Sequence, residues 1–198
     1  MPFAFVLASS SPRRRELLTQ AGYQFEVVPC PEPEPDPRSF HDVASFVQHA
    51  AHRKAAWVAG RAPATSRWIL GADTVAEYGG EVLGKPSDRA DAERILRKLQ
   101  GTEHQTWTGL CLLSPEKGVA LLAAEMTVVH FRRVPEPALA AYLDGGAWQG
   151  KAGAYGIQDH DDPFVERFIG SHSNVVGMPL ERLAILMNYA QAIDASRL

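Results

Sequence analysis

Hydrophobic and polar residues along this chain follow two periods, which predict a succession of strands and helices. Short apolar or alternating runs predict strands at 3–7, 23–28, 68–72, 82–83, 103–113, 119–131 and 164–169. Apolar residues at helical spacing predict helices at 12–21, 41–58, 88–99 and from about 135–137 to 144, and Pro179 opens a terminal helix. The pattern therefore predicts a chain that mixes strands and helices throughout its length.

The first strand runs into the segment L-A-S-S-S-P-R-R-R-E-L-L at 7–18. Ser11 fits the N-cap of the following helix and Pro12 its first position. Arg13 and Arg14 then fall in the first turn, where the positive end of the helix dipole disfavours cations. Serine hydroxyls, exposed amides and two guanidinium groups together predict a phosphate site. The alternative is an ordinary capped helix with solvated arginines.

Two stretches offer carboxylates. The apolar run at 68–72 leads into Asp73, which we place at the end of a strand. A carboxylate there is costly unless it is paired or bound to a cation, so Asp73 is a candidate functional residue. The proline run at 29–37 predicts extended backbone and carries Glu32 and Glu34. A solvated acidic loop is the alternative for this run.

Basic and amide side chains complete the candidate set. Lys54 lies on the helix predicted at 41–58. Lys85 follows Gly84, which lets the backbone turn, and precedes Pro86, which favours an extended conformation at Lys85. The segment at 150–159 carries Lys151 and Gln158, and a glutamine can both donate to and accept from the edge of a nucleobase. Each lysine alone could be a surface residue. Together they indicate a polyphosphate bound beside a carboxylate-held divalent ion such as Mg²⁺.

Composition limits the classes of partner. The chain has 198 residues, a net charge of −3 and two cysteines. The charge argues against non-specific binding to nucleic acid or to an acidic membrane. The cysteines have no metal-ligand spacing and suit a reducing compartment. The N-terminus lacks the features of a signal peptide, and no window is long enough for a membrane span. We therefore expect a cytoplasmic protein.

Five motifs, taken in order, carry a resemblance to a known family. They are L-A-S-S-S-P-R-R near the start, G-A-D-T-V at 71–75, G-K-P at 84–86, K-A-G-A-Y-G-I-Q at 151–158 and N-V-V-G-M-P-L at 174–180. The chain resembles the Maf-like nucleotide pyrophosphatases, also called septum formation inhibitors. The resemblance implies a mixed α/β fold with a long curved mixed sheet flanked by helices. It implies one domain over 1–198, with two lobes around a central cleft, and a possible homodimer.

The resemblance also implies an activity and its residues. A metal-dependent enzyme of this kind, using Mg²⁺ or Mn²⁺, hydrolyses a nucleoside triphosphate to the monophosphate and pyrophosphate. Asp73 corresponds to the general base, and Glu34, rather than Glu32, corresponds to the glutamate that holds metal together with Asp73. The residues that correspond to phosphate ligands are Ser9, Arg13, Arg14, Lys54, Lys85 and Lys151.

The form K-A-G-A-Y-G-I-Q resembles the branch that acts on dTTP and UTP, rather than the branch that prefers 7-methyl-GTP. Arg13, Thr74 and Gln158 match the positions tied to that preference. One departure is Gly150, where many members carry aspartate; Asp159 or Asp161 could supply that carboxylate. Two other functions stay open. One is a non-catalytic nucleotide-binding regulator of cell division; the other is a haloacid-dehalogenase-like phosphatase, whose D-x-D pattern is not met here.

Overall fold

A computed structural model describes residues 4–61, 67–157 and 162–196. The strands are β1 (Ala4–Leu7), β2 (Gln24–Val27), β3 (Trp68–Tyr78), β4 (Glu81–Leu83), β5 (Glu103–Ser114), β6 (Val119–Phe131) and β7 (Val165–Ile169). The helices are α1 (Pro12–Gln20), α2 (Val43–Ala59), α3 (Arg89–Leu99), α4 (Glu136–Asp144), α5 (His172–Val176) and α6 (Leu180–Ala195), with 3₁₀ turns at Pro37–Ser39 and Ala152–Ala154.

The strands form one mixed sheet in the order β2-β1-β3-β5-β6-β7, and β4 pairs with β3 outside this path. Strand β1 is parallel to both of its neighbours, with Leu7 opposite Val27 on one side and Leu70 on the other. The pairs β3–β4 and β6–β7 are antiparallel. The predicted mixed α/β class with a mixed sheet is therefore confirmed.

The chain forms two compact units, each with its own hydrophobic core. The first unit contains the described residues up to Asp73, then Thr108–Glu125 and those from Gly177 onward; the second contains Thr74–Trp107 and Met126–Val176. The largest core of the first unit includes Phe5, Leu7, Leu18, Leu70, Leu110, Leu112, Met178 and Leu183. The core of the second includes Leu83, Ile95, Leu96, Leu99, Phe131, Tyr142, Tyr155 and Phe164. The predicted single domain with a central cleft stays a prediction.

Side-chain caps fix where three helices begin. The Ser11 hydroxyl accepts from the Arg14 amide at 3.4 Å, and Pro12 is the first residue of α1, as predicted. Asp42 accepts from the Ser45 amide at 2.7 Å and starts α2 two residues later than the predicted position. Asp88 caps α3 in the same way. Caps of this kind satisfy amides that have no partner inside the helix.

Strand β3 is longer than predicted. The apolar run at 68–72 predicts a strand that ends before Asp73, whereas β3 continues through Asp73 to Tyr78. The continuation is stabilised by pairing with β4, in which Ala76 lies opposite Leu83 and Tyr78 opposite Glu81. The prediction that Asp73 lies at a strand end is therefore wrong. Asp73 instead lies within a strand, where its backbone is held in a regular conformation.

The segment at 170–177 contains a short helix rather than only the predicted turn. Helix α5 begins after Ser171, whose hydroxyl accepts from the Asn174 amide at 3.2 Å. The Asn174 side chain is buried and donates to the Thr106 carbonyl oxygen at 3.0 Å. A local cap and a tertiary hydrogen bond thus favour helical geometry over an open turn.

Two glycines allow α2 to lie against the sheet at short range. A Cβ at Gly71 would overlap the Ala51 carbonyl oxygen and lie 3.1 Å from the Ala55 nitrogen. A Cβ at Gly109 would overlap the Val47 carbonyl group. Both glycines belong to strands of the first unit, and both face the backbone of α2. Their missing side chains therefore set the distance of this helix from β5 and from β3, the strand that carries Asp73.

Candidate active site

Asp73 is the most buried charged residue of the candidate site. Its residue exposure is 1%. The Oδ1 atom accepts a hydrogen bond from Lys54 Nζ, and Oδ2 is buried with no hydrogen-bond partner among the residues described. An ionised carboxylate with a free buried oxygen is costly unless a ligand completes its partners. Asp73 is therefore placed to accept a proton or to bind a cation.

Lys54 links two carboxylates. It lies on α2, and its side chain is 15% exposed. Its Nζ donates to Asp73 and also to Glu34 Oε1, at 3.2 Å. Glu32 pairs instead with Arg53, whose NH2 lies 3.1 Å from Oε2. In the proline run, Glu32 and Glu34 thus pair with Arg53 and Lys54, two consecutive residues of α2. Of these two glutamates, Glu34 is the one that shares Lys54 with Asp73.

The surroundings of Asp73 shift its pKa in opposite directions. Burial raises the pKa of Asp73 above its ordinary value, and the negative charge of Glu34 raises this pKa further. The positive charges of Lys54 and Arg14 lower it. A raised pKa makes this carboxylate a stronger proton acceptor than an ordinary aspartate, as a general base requires.

Arg14 and Ser9 support the backbone beside Asp73. Arg14 is buried, and it donates through Nε to the Gly177 carbonyl oxygen at 2.8 Å. Its NH1 donates to the Ala72 carbonyl oxygen at 2.9 Å and to the Ser9 hydroxyl at 3.1 Å. Burial lowers the pKa of the Arg14 guanidinium, while the charges of Asp73 and Glu34 raise it. The group remains charged, because an arginine in a protein is not deprotonated.

The second unit orders the segment around Lys151. The Tyr155 hydroxyl lies 3.0 Å from His104 Nε2 and 3.0 Å from Thr106 Oγ1, two residues on one face of β5. Burial lowers the pKa of His104 to about 3, so the imidazole is neutral. The Gly153 amide donates to the Gly84 carbonyl oxygen at 3.1 Å. This bond ties the K-A-G-A-Y-G segment to the G-K-P turn that carries Lys85.

The same segment holds one residue in an uncommon conformation. Ala154 has φ +65°, and its carbonyl oxygen accepts from the Tyr142 hydroxyl at 3.1 Å. A non-glycine residue adopts this conformation only where its surroundings fix it, and such positions cluster at functional sites. Tyr155 belongs to the K-A-G-A-Y-G-I-Q motif, whereas its partners His104 and Thr106 belong to none of the five motifs. The alternation of His104 and Thr106 along β5 was the available signal.

A comparison with known families decides the relationship. The family described as Maf-like protein matches residues 4–190. The chain belongs to the Maf family. The matched span includes every residue proposed for the site, from Ser9 to Gln158.

Curated relatives of this Maf-family chain are similar over nearly their whole length. One from Pelotomaculum thermopropionicum, named dTTP/UTP pyrophosphatase, is 42% identical over 92% of this chain and 94% of that protein. A relative from Geobacter sulfurreducens with the same name is 44% identical over 88% and 90%. One from Bdellovibrio bacteriovorus, also so named, is 38% identical over 93% and 97%. The structure of the Staphylococcus aureus Ham1 protein aligns with a TM-score of 0.43 at 16% identity, over 65% of this chain and 71% of that one.

The site of the Maf-family chain fits a divalent ion. Two carboxylates, Glu34 and Asp73, meet at Lys54, and the free oxygen Oδ2 of Asp73 is a ready ligand. No group of three or more histidine, cysteine or acidic side chains with metal-binding geometry occurs in the described part of the chain. A site with two carboxylates suits Mg²⁺, which usually takes its remaining ligands from water and substrate phosphates.

The predicted site residues divide between the two units. Those that the structure brings into contact are Ser9 with Arg14, and Glu34 and Asp73 with Lys54, all in the first unit. Arg13 is half-buried in the first turn of α1. Thr74 is half-buried, Lys85 exposed and Lys151 buried, and all three belong to the second unit. Gln158, Asp159 and Asp161 lie outside the described residues.

Both cysteines, Cys30 and Cys111, are free thiols. Burial raises the pKa of Cys111 to about 12, so this thiol is unreactive. Among the helices that the structure describes, none combines the length and apolar character needed to cross a bilayer.

Proposed function

We propose that this Maf-family protein hydrolyses dTTP and UTP, and related modified pyrimidine triphosphates, to the monophosphate and pyrophosphate with a divalent metal. The observation that carries the proposal is the buried carboxylate of Asp73, with one oxygen held by Lys54 and the other unpartnered in the described chain. The names of the relatives support the same activity. The proposal extends to a cytoplasmic enzyme and to a homodimeric assembly.

Asp73 acts as general base in this mechanism. It accepts a proton from a water that attacks phosphorus at the bridge between the α- and β-phosphates, and positioned proton transfer of this kind contributes ~10²–10⁴-fold to the rate. The buried position of Asp73 within β3 limits the directions in which its carboxylate can point. The contact between Arg14 and the Ala72 carbonyl oxygen fixes the backbone immediately before it.

Five basic residues and one serine bind and orient the triphosphate. We assign this role to Ser9, Arg13, Arg14, Lys54, Lys85 and Lys151. Fixed cations stabilise the charge that develops on the leaving pyrophosphate, since they need no reorganisation during the reaction. Glu34 and Asp73 would hold the divalent ion, which supplies charge neutralisation at the phosphate oxygens when bound. No other acidic residue is described in contact with Lys54.

The metal ligand can be tested within the proline run. We expect Glu34→Gln to raise the Mn²⁺ concentration required for activity about ten-fold or more, because one of two carboxylate ligands loses its charge. Glu32→Gln is the matched control, since Glu32 pairs with Arg53 rather than with Lys54. A metal titration of dTTP hydrolysis measures both variants. If Glu32→Gln raises the required Mn²⁺ concentration more than Glu34→Gln does, Glu32 is the metal ligand.

The base preference is proposed to depend on Arg13, Thr74 and Gln158. Gln158 can donate to and accept from the edge of thymine or uracil, and a buried polar group that loses such a partner costs ~1–3 kcal/mol. We expect Gln158→Ala to reduce the preference for dTTP over GTP about ten-fold or more. The ratio of kcat/KM values for the two nucleotides measures this. An equal loss on all nucleotides would give Gln158 a structural or catalytic role instead.

A nucleotide panel tests the proposed substrate class. Wild-type protein is incubated with each common triphosphate and with 7-methyl-GTP in the presence of Mg²⁺ or Mn²⁺, and pyrophosphate release is measured. We expect dTTP and UTP to give the highest kcat/KM. A preference for a purine would contradict the assignment to the pyrimidine branch, and no turnover of any nucleotide would favour the non-catalytic regulator.

A further inference from the structure

The position of Lys54 carries an inference that deepens the proposed function and rests on it. We propose that the Lys54 ammonium group competes with the divalent ion for Glu34 and Asp73. When the ion binds, this ammonium group moves to the triphosphate. Lys54 then couples the binding of metal to the binding of nucleotide. The observation behind this is that one ammonium group donates to both of the carboxylates that would hold the ion.

The competition follows from shared ligands. An ammonium group has three N–H donors, and Lys54 directs hydrogen bonds to Glu34 Oε1 and Asp73 Oδ1. A divalent ion ligated by both carboxylates comes within a few ångströms of Nζ. Two cations at such a distance repel each other strongly where little water screens them, and the Lys54 side chain is only 15% exposed. The ion therefore binds at the expense of at least one Lys54 hydrogen bond.

Release of Lys54 supplies a phosphate ligand at the moment when it is needed. A lysine has a flexible four-carbon stem and three rotatable donors, so its ammonium can move to a new acceptor while the helix stays in place. Triphosphate oxygens offer negative charge to replace that of the two carboxylates. Metal and nucleotide should consequently bind with positive coupling, in which each raises the affinity for the other by the same factor.

The first test measures Mn²⁺ binding without nucleotide. Free Mn²⁺ is followed by electron paramagnetic resonance at pH 8, so no turnover is required. We expect Lys54→Met to bind Mn²⁺ at least ~10-fold more tightly than wild type, because the competing charge is removed. Lys54→Arg keeps the charge and should not bind more tightly. Lys98→Met is the matched control, since Lys98 pairs with Glu81 on the surface of the second unit and should leave Mn²⁺ affinity unchanged.

The second test measures the coupling. With a non-hydrolysable dTTP analogue, wild-type affinity for Mn²⁺ should rise, whereas the rise should be smaller in Lys54→Met. Lys54→Gln provides a second variant without the charge, and circular dichroism checks that each variant is folded. The double variant Lys54→Met/Asp73→Asn tests whether the Mn²⁺ that binds more tightly to Lys54→Met is bound at Asp73. We expect this double variant to lose the tighter binding.

Equal or weaker Mn²⁺ binding by both Lys54→Met and Lys54→Gln would overturn the inference, as would tighter binding by Lys54→Arg. The outcome is separate from the fate of the proposed function. Metal affinity is measured without hydrolysis, so a protein that fails to cleave dTTP could still show the competition. A protein that cleaves dTTP could equally show none.

Discussion

Asp73→Asn is expected to reduce the turnover of dTTP by at least ~100-fold, which is the lower end of what a positioned general base contributes. The substitution preserves the size of the side chain and removes both the proton acceptor and a charge that would hold metal. Asp73 is 1% exposed and pairs with Lys54. The substitution therefore removes a buried negative charge from the candidate site.

The measurement is kcat with saturating metal, together with the thermal midpoint of unfolding. Asp144→Asn is the control, because Asp144 is an exposed aspartate that pairs with Arg89 at the end of α4. We expect this control to keep wild-type activity. If Asp73→Asn is folded and retains more than a tenth of the wild-type rate, the assignment of Asp73 as general base is wrong.

Gly109→Ala is expected to destabilise the protein by about 2 kcal/mol or more, since overpacking typically costs ~1–3 kcal/mol. The new Cβ would overlap the Val47 carbonyl group and lie 2.6 Å from the Gln48 nitrogen. Both contacts are with the backbone of α2, so no side chain can rotate to make room. The helix must therefore move away from β5.

Thermal unfolding measures the effect, and a loss of 2 kcal/mol corresponds to a fall in Tm of roughly 4–8 °C for a chain of this length. Gly60→Ala is the matched control at the end of the same helix, where a Cβ would meet its nearest atom at 3.6 Å. Equal Tm values for the two variants would contradict the close packing of α2. The displacement should also lower activity, because α2 carries Lys54.

The helices and strands could largely be predicted from sequence because their signals are local. Ser11 and Pro12 start α1 as the sequence predicts, since a cap depends on residues within one turn. The end of β3 could not be predicted in this way. Its continuation past Asp73 depends on pairing with β4, which is a tertiary contact.

The contacts of the candidate site depend still more on tertiary structure. The sequence places Arg14 where an anion could bind, but its partner at Nε is the carbonyl oxygen of Gly177, 163 residues away. The bond between Lys54 and Asp73 likewise depends on the depth at which α2 packs. That depth is set by Gly71 and Gly109, and glycines inside strands give no indication of which helix will approach them.

The central claim is cleavage between the α- and β-phosphates, and phosphorus NMR of the products tests it most directly. Wild-type protein with dTTP and Mg²⁺ should yield dTMP and pyrophosphate in equal amounts, and Asp73→Asn should form both products at least ~100-fold more slowly. Formation of dTDP and inorganic phosphate would contradict the account, because it would place the cleavage at the terminal phosphate.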